Sequence, residues 1–177
     1  LVSYLIVYVI KSKSVLTHRA EFLRSFARFT DVPGSKSMAT PNSILFVCQL
    51  NSVRSPMAEG LIRKHYTDMA DIRSCGLAEG DLDDFMVTVM KEKGVDMSDH
   101  TAISLGDLQD ESFDVVIAFT ADAHQSAMAV FEDTDSHVEL WALPDPGQGS
   151  LDVRALLNNY RALRDNIEAR LLRKFKG

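Results

Sequence analysis

The feature that most constrains this chain is a change of texture at Cys48. Ile44, Leu45, Phe46 and Val47 form a short apolar run, β-branched and aromatic, of the kind that a strand buried on both faces requires. The run stops at the cysteine. Gln49–Val53 follows, with Asn51 and Ser52 as residues that tolerate tight or left-handed backbone, and the text then becomes Arg54-Ser55-Pro56-Met57-Ala58-Glu59-Gly60-Leu61. Ser55 before Pro56 reads as a helix N-cap with proline at the first helical position. The spacing therefore predicts strand, short loop and helix, with the loop at a helix N-terminus where unpaired backbone N–H groups can converge on an anion. A thiol, a ring of free amides and a fixed guanidinium at Arg54 are the parts needed to attack a tetrahedral oxyanion and hold it.

Downstream the same alternation repeats. Residues 57–67 read as a helix with Met57, Leu61, Ile62 and His65 or Tyr66 facing inward, and Asp71–Cys75 as a short strand. Phe85–Lys93 is helical, with Phe85, Val89 and Met90 spaced toward a core and Gly94 as its cap. Phe113–Phe119 is a second buried strand, followed by a helix that has Asp122 near its start and runs through Met128. Val138–Trp141 is the last strand. After the loop of Pro144, Asp145, Pro146 and Gly147, a terminal helix places Val153, Leu156, Leu157, Tyr160, Leu163, Ile167, Leu171 and Leu172 on one face. Four strands, each leading into a helix, predict a three-layer αβα domain with a four-stranded parallel twisted sheet and a ligand beyond the carboxyl ends of the strands. Cys48, the Phe119 region and Asp145 all fall on that edge.

Charge divides the chain. Residues 1–37 carry six Lys or Arg against two acids, whereas residues 38–177 carry thirteen against twenty-three, for a net charge of -6. An acidic balance argues against nucleic acid as partner, although an anion site needs only local positive potential. The break falls at the Pro/Gly/Ser-rich VPGSKSMATPNS connector. Ahead of it, the apolar LVSYLIVYVI opening is about half the length of a membrane span. Three readings of 1–37 stand: a buried first strand, a targeting leader, or an extension upstream of a start at Met38, with 38–177 as the functional domain. Two cysteines, Cys48 and Cys75, make no disulfide framework and fit a reducing, cytoplasmic setting. His65, His100, His124 and His137 lack metal-ligand spacing, so neither metal nor other cofactor is expected.

The run Val47-Cys48-Gln49-Leu50-Asn51-Ser52-Val53-Arg54-Ser55-Pro56 resembles the phosphate-binding loop of the low molecular weight protein tyrosine phosphatases and the related thioredoxin-coupled arsenate reductases. The similarity continues through Met57-Ala58-Glu59-Gly60, Ser74-Cys75-Gly76, Asp114-Val115-Val116 and Leu143-Pro144-Asp145-Pro146. It implies the Rossmann-like phosphotyrosine phosphatase I fold. It also implies Cys48 as nucleophile, Arg54 and the amides of Gln49, Leu50, Asn51, Ser52 and Val53 as the phosphate cradle, Ser55 as a hydrogen-bond partner of the sulfur, and Asp145 as general acid. The implied substrates are phosphotyrosine proteins or small aryl phosphates, with inorganic phosphate as product and inhibitor. Asp152 is a rival acid, although its place before Val153 suits a helix cap. Three positions depart from the family pattern: Leu50 where it has Gly, Val53 where it often has Cys, and Gly147 where an aromatic residue commonly follows the Asp-Pro pair. Two other functions compete. An arsenate reductase needs further thiols, and Thr120–Ala127, where the resemblance would put them, has none; a non-catalytic phosphate or phosphopeptide binding module would need no turnover at all.

Overall fold

The computed structural model describes residues 41–69, 71–148 and 152–175. The readings of 1–37 lie outside the described residues. Strand β1 (Ser43–Cys48) is flanked by β2 (Asp71–Gly76) and β3 (Val115–Ala118), with β4 (His137–Leu140) outermost beside β3. All pairings are parallel, in register Ile44 with Ile72 and with Val115, and Val115 with His137. Connected to both neighbours, β1 is the axis of the twisted sheet. The order 2-1-3-4 reverses direction between β1 and β3, which opens a crevice at their carboxyl ends.

Why β1 is an unbroken apolar run is visible in its packing. Ile44, Phe46 and Cys48 face a core built with helices α1 (Arg54–His65), α2 (Asp84–Glu92) and α4 (Val153–Phe175), whereas Leu45 and Val47 face a second core under α3 (Ala121–Val130) and a 3-10 turn at Leu105–Leu108. Both faces being covered, alternation with polar residues would cost about 2 kcal/mol per lost large apolar side chain. Phe46 and Phe119 stack at 6.1 Å within the first core. The strand expected over 113–119 is regular over Val115–Ala118; at its start the Asp114 carboxylate accepts from the N–H groups of Asn42 (2.7 Å) and Ser43 (3.2 Å), and at its end Phe119 N still donates to the Val47 carbonyl at 2.9 Å.

Two helix readings need correction, the cap of the first and the core face of the last, and the choice between His65 and Tyr66 is resolved. Helix α1 begins at Arg54, with Val53 as its cap residue and no side-chain capping bond. Ser55 is therefore not the N-cap, and Pro56 sits at the third helical position, still in the first turn where a missing N–H removes no bond. His65 is exposed and meets Glu168 at 2.8 Å, leaving Tyr66 as the inward residue. Val153 is 60% exposed, so the core face of α4 starts at Leu156 and Leu157 and is buried at Tyr160, Leu163, Ile167 and Leu171, with Leu172 only half-buried.

Candidate active site

The loop after β1 gets its shape from the fate of its carbonyls. Those of Cys48, Gln49 and Leu50 accept from the N–H groups of Leu77 (3.0 Å), Ala78 (3.1 Å) and Gly80 (2.8 Å), and that of Asn51 bonds His100 Nε2 at 2.9 Å. Since each peptide unit is planar and trans, a carbonyl turned to these supports turns the following N–H away from them. Among the described residues no N–H of Gln49–Val53 donates to a backbone carbonyl. Gly76 allows the supports this close: a Cβ there would stand 2.7 Å from Asn51 N.

Asn51 holds the turn. Its φ of 53° is the sole left-handed value at a non-glycine among the described residues, a conformation that Asn tolerates better than most. Its buried amide donates to Ser55 Oγ (3.0 Å) and Ser74 Oγ (2.9 Å), while its Oδ1 accepts from Ile103 N (3.0 Å). Leu50 consequently needs no glycine-like backbone, and the substitution of Gly by Leu leaves the loop intact. Ser52 bonds back to the Leu50 carbonyl at 3.3 Å.

Cys48 ends β1 at the floor of a cleft of about 470 Å³ that Arg54 and Asp145 also line. Freed from capping, the buried Ser55 hydroxyl lies 2.9 Å from Cys48 Sγ and 3.1 Å from the Cys75 carbonyl. Its one hydrogen has two acceptors: it can go to the carbonyl while the sulfur is a thiol, and swing to the sulfur when that becomes a thiolate. Arg54, half-buried at the start of α1, donates from Nη1 to the Leu143 carbonyl at 3.1 Å.

The opposite lip comes from the chain after β4. Trp141 N and Leu143 N still pair with the carbonyls of Ala118 (2.8 Å) and Phe119 (3.1 Å), after which Pro144 releases the chain and exposes Asp145. Asp145 Oδ1 accepts from Gly147 N at 2.8 Å. A Cβ on Gly147 would stand 3.2 Å from that oxygen, a close approach that a small shift of the exposed Asp145 side chain would relieve. Behind the loop, the buried Tyr160 hydroxyl donates to Asp83 Oδ2 at 2.8 Å, and burial first, then the bond to Asp83 and the nearby Asp145 charge, push its pKa well up. Asp152 caps α4 through the N–H groups of Arg154 and Ala155, both at 3.3 Å.

Cys75 is a different kind of thiol. Its register partner is Val47, so it points into the second core, on the sheet face opposite Cys48. Burial, and secondarily the nearness of Cys48, push it up to about 12. Helix α3, which opens on a Thr120 cap, brings no thiol to the cleft. Sequence reasoning missed Ser74, His100, Ile103 and Leu143 as supports. Only the motifs around Ser74-Cys75-Gly76 and Leu143-Pro144-Asp145-Pro146 hinted at two of them, because each acts on the loop or its arginine across at least 23 residues.

A parallel α/β sheet whose first strand delivers a buried cysteine to an anion-shaped loop, with an arginine beside it, defines a phosphatase-like hydrolase. Residues 43–176 match the family described as low molecular weight phosphotyrosine protein phosphatase, and the chain belongs to it. An arsenate reductase from Shouchella clausii is 33% identical over 133 residues, spanning 72% of this chain and 91% of that protein. The tyrosine phosphatase AmsI of Erwinia amylovora shares the fold with a TM-score of 0.64 at 24% identity, over 79% of this chain and 97% of that one. The YwlE arginine phosphatase from Geobacillus stearothermophilus gives 0.61 at 25% identity, over 76% and 92%. No helix among the described residues is long and apolar enough to cross a membrane.

Proposed function

We propose that the chain is a phosphomonoester hydrolase of the protein-tyrosine phosphatase type, with residues 38–177 as its catalytic domain. The observation that carries this reading is the meeting of Cys48, Arg54 and Asp145 in one cleft, while Cys75 lies on the far face of the sheet. The Cys48 thiolate attacks phosphorus, and the ester oxygen departs with a proton from Asp145. The loop amides and Arg54 hold the three equatorial oxygens as charge redistributes. Asp145, now a carboxylate, takes a proton from the water that attacks the cysteinyl phosphate; the S–P bond breaks, phosphate leaves and the thiolate returns. Ser55 supports that departure by donating to the sulfur.

A second reading, arsenate reduction, is favoured by the names of the curated relatives, including a glutaredoxin arsenate reductase from Synechocystis that is 29% identical over 133 residues. Such a reaction needs a thiol that can reach the Cys48 adduct. Cys75 would have to leave its core and lose its proton, so the reductant would have to come from outside the chain. Two assays on one preparation separate the readings: phosphate release from an aryl phosphate in the presence of chelator, and arsenite formation with thioredoxin or glutaredoxin and glutathione. We expect the first to proceed and to vanish in Cys48→Ser. Arsenite formation abolished by Cys75→Ser, with negligible phosphate release, would overturn the proposal, and phosphate binding without turnover would make the chain a binding module.

A further inference from the structure

The cleft has apolar surface on both lips, from Leu50 and Val53 on the loop of the nucleophile and from Pro144 and Pro146 opposite. Among the described residues the large apolar side chains left exposed are Leu50, Met128, Leu140 and Val153, and of these Leu50 alone lines the cleft beside Cys48, with its surface 48% exposed. Its backbone is fixed by the bonds that its carbonyl accepts from Gly80 N and Ser52 Oγ. Gly80 packs directly against it, since a Cβ there would come within 2.8 Å of Leu50 Cβ. The leucine thus has one backbone placement, and it leaves an apolar side chain open to solvent at the mouth of a charged site. Across the cleft the apolar surface is that of the Pro144 and Pro146 rings, and Gly147 carries no side chain to extend it. In-line attack by Cys48 would place the ester substituent opposite the sulfur, toward the open side of the cleft that Leu50 lines.

We propose that Leu50 determines leaving-group specificity: its side chain is the apolar contact that selects phosphomonoesters with a ring-sized apolar substituent over small ones. This rests on reading Gln49–Arg54 as the anion-binding loop. Covering an exposed apolar group that is already held in place gains affinity with little ordering cost, by an amount comparable to part of a hydrophobic pocket.

The test compares two phosphonates that share the anionic head and differ by a ring. Dissociation constants for methylphosphonate and benzylphosphonate are measured on the full chain by protection of Cys48 from iodoacetamide. We expect a preference for benzylphosphonate that falls by about 5-fold in Leu50→Ala and in Leu50→Gln, which keeps the length but not the apolarity, and that returns in Leu50→Met. A preference unchanged in both Leu50→Ala and Leu50→Gln, or no ring preference in the parent chain, would overturn the proposal and leave the anion loop standing. Failure of both phosphonates to protect Cys48 would instead remove the anion-loop reading, and the proposal with it.

Discussion

Two loops meet over the cleft, and they are held in opposite ways. The loop after β1 is locked from behind, with four of its carbonyls engaged and a buried asparagine making three side-chain bonds. The loop after β4 is tied at Leu143 and then runs exposed through Pro144, Asp145 and Gly147, with its main internal bond the one from Gly147 N to Asp145. The difference follows from the work each would do. Dipoles that must already point at an anion are useful only if they need no reorganisation, so their supports are buried and numerous. A carboxylate that must exchange protons with both ester and water has to stay wet.

Substitutions can break or sharpen this contrast. The largest effect is expected at Arg54→Lys, which keeps the charge but loses the planar fork; kcat for an aryl phosphate should fall by roughly 1,000-fold, and a loss under tenfold would mean that the guanidinium does not touch the phosphoryl oxygens. Asn51→Ala should cost about 3 kcal/mol in urea unfolding, since Ser55, Ser74 and Ile103 N all lose a buried partner. A loss below about 0.5 kcal/mol would show that the first loop is held no more firmly than the second.

Asp145→Ala should do the reverse. On an exposed loop it should leave the urea midpoint almost unmoved yet slow turnover by about 100-fold with poor leaving groups, and far less with activated ones that depart unprotonated. Equal losses for both substrate types would move the acid elsewhere. Tyr160→Phe should have the smallest effect, about 1.5 kcal/mol of stability from the bond to Asp83. Because the phenol's pKa lies well above the ordinary range, this bond persists through mildly alkaline pH, and a stability difference that disappeared near pH 9 would contradict its assignment.

The first loop was far more legible in sequence than its supports. Cys48, Asn51 and Arg54 stand within a few residues of one another and between a strand and a helix, so spacing alone brings them together. Serine before proline is a local cap signal, but the helix starts two residues earlier than that signal places it, and the Ser55 hydroxyl meets the sulfur, as the family resemblance implies. His100 was visible only as a histidine without ligand spacing. Its bond to the Asn51 carbonyl exists because the chain after α2 returns to the sheet edge, and no local pattern encodes that return. The same holds for Leu143, whose carbonyl reaches Arg54 across 89 positions.

That last bond has a consequence for how variation can accumulate in this chain. The guanidinium proposed to hold the anion also donates to the Leu143 carbonyl, two residues before Asp145, so the two loops share one fastening. Losses from substitutions on both sides should not multiply: with Arg54 gone, Asp145 has already lost part of its station, and its removal should cost less than it does in the parent chain. A lineage could not exchange the arginine and keep the acid's geometry as an independent inheritance. The two would be retained together or drift together.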